Sequence, residues 1–145
     1  MASGRFAMAL HALALLARSD EGHPSDYIAG SVNTHAAFLR RVLRQLAAAG
    51  LIQAREGRGG GYRLARPAKA ITLAEAYRAV EPEGPLAPSP CEPNPRCPVG
   101  AGMRDAFDLT AAAARRGLEA SLAGRTVADL TGLALRRGRQ AHRTV

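Results

Sequence analysis

Between residues 36 and 49 the apolar positions Leu39, Val42, Leu43 and Leu46 recur at spacings of three and four, which places them on one face of a helix. Arg40, Arg41 and Arg44 lie off that stripe, and the small residues Ala36 and Ala37 occupy the leading turn. Asn33 and Thr34 stand just before it with side chains able to cap a helix N-terminus. Gly50, after Ala49, suits a left-handed C-terminal stop. The pattern then changes. Leu51 and Ile52 open a short apolar segment with polar residues as far as Glu56. The run Gly57-Arg58-Gly59-Gly60-Gly61 makes a tight turn, and Tyr62-Arg63-Leu64 returns as a second strand. A basic helix, a hairpin and an arginine at the hairpin tip are the layout of a winged helix-turn-helix.

The flanking segments fit that layout. Phe6, Leu10, Leu13, Ala14, Leu16 and Ala17 predict a first helix from a Ser3 cap to about Arg18. His11 lies within it and carries no assigned role. Ser19 to Pro24 reads as a turn, and Ser25 is expected to cap a short helix through Ser31. Thr72 followed by Glu75 is a capping box, after which Leu73, Ala76, Tyr77 and Val80 continue a short helix. The prolines of EPEGPLAPSPCEPNPRCP, residues 81–98, preclude helix or central strand. Val99, Met103, Phe107, Ala111, Ala114, Leu118 and Leu122 then mark a long amphipathic helix to about Ala123. That stripe exceeds what so small a winged domain can cover, so a symmetric partner helix is expected to bury it. Thr126 and Asp129 signal a last short helix to about Leu135, and the basic tail 136–145 is expected to fray as a solvated terminus, with added non-specific DNA affinity the alternative.

The fold class expected is therefore mainly α with a small β-hairpin wing. Its parts are a winged helix-turn-helix over residues 1–81, a Pro-rich cysteine loop over 82–98, a dimerisation helix with a short terminal helix over 99–135, and the tail. Composition agrees: 47% of the 145 residues are hydrophobic but only 4% aromatic, so Ala and Leu must build the core. A net charge of +8 suits a polyanionic partner. Because nineteen arginines accompany a single lysine, that total partly reflects a compositional bias. Placement on one helix face and one loop is the stronger sign. The apolar run from Phe6 to Ala17 is interrupted by His11 and too short to span a bilayer, so a cytoplasmic protein with no membrane partner is expected.

In a helix-turn-helix the second helix reads the major groove while the first crosses the backbone. The candidate DNA-facing residues are Ser25, Tyr27, Asn33, Thr34, His35, Ala37, Arg40, Arg41 and Arg44, with Arg58 and Gly59 in the wing. For Ser25 a helix cap, and for Tyr27 a half-buried ring, are alternatives to a phosphate contact. AGLIQAREGRGGGYRLAR, preceded by LRRVLRQL, resembles the signature of the bacterial winged helix-turn-helix regulators that include IscR, NsrR and CymR. SVNTHAAFLRRVLRQL is most similar to the shorter, YwnA-like branch, and the resemblance runs from Phe6 to Leu130. Its most specific parts are GRGGGYRLA and CPVG at Cys97–Gly100. The resemblance implies a homodimeric, DNA-binding regulator of transcription, usually a repressor, acting on a double-stranded operator. It also implies that residues near the first helix, such as Arg5, touch a phosphate.

Relatives that hold an iron–sulfur cluster do so on the corresponding loop with three cysteines. This chain has only Cys91 and Cys97, separated by five residues, so no cofactor and no structural zinc are expected. Two readings of the pair remain. Cys97, just before a helix start, is a reactive thiolate with Cys91 as resolving partner; or Cys97 is a small buried residue anchoring the loop and Cys91 is incidental. The corresponding effector would be an oxidant or a small molecule. No catalytic constellation appears, so no enzyme is expected. The rival functions are a thiol-disulfide redox protein and a winged helix used for protein docking.

Overall fold

The computed structural model describes residues 3–143. Six helices and one hairpin follow in the order α1 (Arg5–Leu16), α2 (Ser25–Val32), α3 (Ala36–Ala48), β1 (Ile52–Arg55), β2 (Gly61–Leu64), a 3-10 turn (Ala68–Ala70), α4 (Leu73–Val80), α5 (Pro98–Ala123) and α6 (Val127–Arg143). The core is aliphatic, as the scarcity of aromatic residues requires. Ala9, Ala12, Leu13 and Leu16 of α1 meet Ile28 of α2, and Leu39, Val42, Leu43 and Leu46 of α3. Ile52, Ile71, Val80 and Val127 close the cluster from the wing, α4 and α6. Each of the four predicted apolar positions of α3 is fully buried, so the helix is held by its back.

Several helix ends differ from expectation. The α1 N-cap is Gly4, with φ of 70°, and Ser3 instead accepts a hydrogen bond from the Arg5 amide. Ser25 is the first residue of α2 rather than its cap; Pro24 holds the cap position, and its carbonyl accepts from the Ile28 amide. Asn33 and Thr34 do not cap α3. Asn33 ends α2 in the left-handed region, with φ of 60°, and the Asn33 and Thr34 amides both donate to the Ala29 carbonyl. Asparagine is among the few residues that tolerate this conformation, so the same side chain serves a stop as readily as a start. The N-cap of α3 is His35, without a side-chain bond. By contrast, the Thr72/Glu75 capping box of α4 forms in full.

The wing pairs antiparallel in the register Ile52↔Leu64, Gln53↔Arg63, Ala54↔Tyr62 and Arg55↔Gly61. Its base is tied to the segment before α2 by an isolated bridge between His23 and Tyr62, with reciprocal bonds of 2.9 and 2.8 Å. Glycine is required on both sides of this bridge. A Cβ on Gly22 would lie 2.2 Å from the Tyr62 carbonyl oxygen, and one on Gly61 would lie 2.4 Å from that of His23. The triple glycine thus does more than loosen a turn; it lets the wing approach the helix-turn-helix.

Helix α6 runs to Arg143, beyond the expected stop near Leu135, and residues 144–145 lie outside the described part. From Leu135 to Arg143 only Gly138 weakens the helix, and arginine, glutamine and alanine are strong helix formers. Its first turn carries the predicted cap: the Asp129 amide donates to Thr126 Oγ1, and the Thr126 amide donates to the Asp129 carboxylate.

Candidate nucleic-acid interface

At about 100° per residue, Ala37, Arg40, Arg41, Arg44 and Ala48 span roughly 100° of arc opposite the buried stripe of α3. All five are exposed. Among the described residues none of the three arginines forms an ion pair with a carboxylate. The Arg41 guanidinium instead lies over the Phe38 ring, 5.9 Å from its centre. Such a helix presents unneutralised, multidentate donors with small residues between them, which suits the edges of bases and phosphates in a major groove. His35 is exposed at the start of α3, and Thr34 is half-buried beside it.

The elements before α3 add to this surface. Tyr27 is 54% exposed and stacks on His23 with ring centres 4.5 Å apart, so its ring rests on the wing-bound segment. Ser25 is half-buried in the first turn of α2 and makes no cap bond. Arg5 lines a surface cavity with Phe38, Arg41, Val42, Arg44 and Gln45, but its guanidinium also pairs with Glu81 at 3.2 Å. Arg5 therefore helps lock α1 to the end of α4 as well as facing the basic helix.

In the wing, Arg58 is exposed at the tip between Gly57 and Gly59, whose φ angles of 90° and 71° favour glycine. The register puts Gln53, Arg55 and Arg63 together on the solvent face of the hairpin, and Arg63 donates to Gln53 Oε1 at 3.3 Å. Arg55 and Arg63 were not among the residues expected from sequence. Their signal was available in the alternation of the strands, Ile52, Ala54, Tyr62 and Leu64 being on the opposite face.

Helix α5 divides its predicted stripe between its own domain and solvent. Leu122 packs on the core, and Phe107, Ala111 and Leu118 are half-buried. Arg115 donates to the Pro82 carbonyl at 2.7 Å and pairs with Glu119, which also meets Arg78 at 3.6 Å, fastening this side to α4 and the loop. Val99, Met103 and Ala114 are exposed instead, on a face shared with Gly102, Ala106, Leu109, Thr110, Ala113 and Gly117. That face carries no charged residue.

Both cysteines are exposed and free. Cys97 is the N-cap residue of α5, and the Gly100 and Val99 amides aimed at its sulfur hold the thiol below its ordinary range. Loop geometry supports this placement. The Cys97 amide donates to the Asn94 carbonyl, and a Cβ on Gly100 would lie 2.3 Å from that oxygen. Glu92 is engaged by Arg104.

A family model described as Rrf2, an iron-dependent transcriptional regulator, matches residues 2–132. The chain belongs to the Rrf2 family. Among relatives, YwnA of Bacillus subtilis (strain 168), named as an HTH-type transcriptional regulator, is 37% identical over 130 residues, covering 90% of this chain and 96% of that protein. The structure of CymR, the global cysteine regulator of B. subtilis, superposes with a TM-score of 0.65 at 25% identity, covering 92% of this chain and 97% of that one. T. potens IscR shares the fold, with a TM-score of 0.63 at 21% identity over 92% of this chain and 88% of its own. This Rrf2 protein is accordingly a DNA-binding transcriptional regulator with a winged helix-turn-helix, and the basic face of α3 is the surface suited to that work. The iron in the family description does not fit its residues. The whole chain has two cysteines, and among the described residues no three His, Cys, Asp or Glu side chains converge. Nor, among those residues, is any helix long and apolar enough to cross a membrane.

Proposed function

We propose that this Rrf2 protein works as a cytoplasmic homodimer that binds a two-fold operator and represses transcription. Two α3 helices would enter successive major grooves about one helical turn apart, with the Arg58 wing tips reaching the flanking backbone. The observation that carries the dimer is the charge-free, exposed face of α5 bearing Val99, Met103 and Leu109 at 65%, 47% and 74% exposure. A 26-residue helix is roughly 39 Å long, enough for a second copy to cover that face end to end. Its small residues Gly102, Ala106, Ala113 and Gly117 permit close approach of a partner helix. Sedimentation at micromolar concentration tests this: the parent should be a dimer and Met103→Asp a monomer, because the change buries an unpaired carboxylate. A monomeric parent contradicts the proposal.

The position of Cys97 favours a second element, control by oxidation. A thiolate at a helix N-terminus attacks the O–O bond of a hydroperoxide, giving a sulfenic acid and releasing hydroxide or alkoxide. The Cys91 thiol then attacks that sulfur, forming a disulfide and releasing water. The loop would be drawn together at the start of α5, biasing the helix pair that sets the spacing of the reading heads. Operator affinity that is equal in oxidised and reduced protein would leave both cysteines without this role.

A further inference from the structure

The distal half of α6 is the strongest feature that operator reading by α3 and the wing does not use. The helix begins inside the domain: Val127 is buried, its amide donates to the Ile71 carbonyl at 2.9 Å, and Leu130 packs on the core. Thr126 bridges to Thr72, the N-cap of α4, so α6 starts beside the first turn of α4. From Leu133 to Arg143 every residue is exposed. That segment carries Arg136, Arg137, Arg139 and Arg143, and no acidic residue follows Asp129. Among the described residues, none of the four arginines pairs with a carboxylate, whereas Arg5, Arg66, Arg78, Arg104 and Arg115 are all neutralised by glutamates.

We infer that the end of α6 is a second DNA-binding element, an arm that grips the phosphate backbone without reading sequence. It rests on the DNA-binding reading and extends it to a separate surface. Arg136, Arg139 and Arg143 lie at spacings of three and four and share one side of the helix. From the first to the last the helix rises about 10.5 Å. One strand of a duplex presents a phosphate about every 3.4 Å of axis, so the row matches about three phosphates. Like charges at these spacings oppose helix formation, a cost that phosphate neutralisation removes. Opposing it in the free protein, the cations stand at the C-terminal end of the helix, where its dipole favours them. An anionic membrane is the weaker match. The segment's exposed large apolar side chains are Leu133 and Leu135, and residues 136–143 add only Ala141, too little to insert among acyl chains.

The test uses the full chain with Arg136, Arg137, Arg139 and Arg143 all replaced by Gln, which keeps helix propensity while removing charge. Affinity for a random-sequence duplex and for a duplex selected from genomic DNA is measured by anisotropy across a potassium chloride series. Loss of about three phosphate contacts per chain should lower the slope of log affinity against log salt by about 2.7 for each bound chain on both duplexes, equivalent to roughly a 40-fold smaller loss per chain between 50 and 200 mM salt. The preference for selected over random DNA should be unchanged. Substitution by Lys at the four positions should restore the slope, which a folding defect in the Gln protein could not mimic. An unaltered slope overturns the arm, as does a loss of sequence preference, since the segment would then belong to the reading head. Tighter capture by anionic vesicles than by random duplex also overturns it. If the wild-type protein retains no duplex at all, the DNA-binding reading itself fails, an outcome distinct from these.

Discussion

Replacing Arg41 with alanine separates reading from folding. The side chain is exposed and among the described residues has no carboxylate partner, and its visible intramolecular contact is the Phe38 ring at 5.9 Å. An exposed cation–π contact is worth about 0.5–1 kcal/mol, and alanine is the best helix former, so stability should change by less than about 1 kcal/mol. Loss of one direct DNA contact should cost about 1–3 kcal/mol for each reading helix. At about 1.4 kcal/mol per tenfold, that is about a 5- to 140-fold loss per helix, or roughly 30- to 20,000-fold for a complex that engages both. Urea unfolding measures the first quantity, and anisotropy with a duplex selected from genomic DNA measures the second. Arg41→Lys adds a diagnostic arm. A bare charge would largely substitute at a phosphate, whereas a bidentate contact to guanine would be lost with the planar fork. Unchanged operator affinity in Arg41→Ala, with normal folding, would refute the assignment of this face.

Three further outcomes are expected. Arg58→Ala should weaken binding and lower the salt slope by about 0.9, one phosphate contact; an unchanged slope would make Arg58 a solvated tip residue. Thr72→Ala should destabilise the fold by about 0.5–2 kcal/mol in urea unfolding, through loss of the α4 capping box. Glu75 is held below its ordinary carboxylate range first by the Thr72 backbone amide and further by Arg66, so its stabilising effect is present above the unfolded-state range and lost as pH falls through the lowered value. Acid unfolding of a Glu75→Gln protein at the parental pH and with the parental slope would argue against that coupling. In a Cys91→Ser protein, alkylation of Cys97 should show a pH midpoint below the ordinary thiol value of about 8.5, because the Gly100 and Val99 amides favour the thiolate. A midpoint at or above that value would remove the helix-start activation.

What could be read from the sequence was whatever one element decides by itself. The apolar spacing of α3 identified its buried face, and the Thr72/Glu75 box fixed the start of α4. Decisions shared between elements were less visible. Asn33 has chemistry for either end of a helix, and only the packing of α2 against α3 selects the left-handed stop. The His23–Tyr62 bridge joins residues 39 positions apart, and its sign was the need for glycine at Gly22 and Gly61. The stripe of α5 looked continuous because periodicity does not say which neighbour covers each residue. Leu122 packs on its own core and Phe107, Ala111 and Leu118 are half-buried, whereas Val99, Met103 and Ala114 are exposed. The run of arginines after Leu135 suggested a frayed tail, although its residues are good helix formers continuing a capped helix.

Genome-wide footprinting with the purified protein tests most directly the claim that two basic α3 helices read an operator together. Protected sites should share a motif of two inverted half-sites centred about 10–10.5 base pairs apart, or a multiple of that, with two chains bound per site. Protection without a common motif, or a single unpaired half-site bound by one chain, would contradict it.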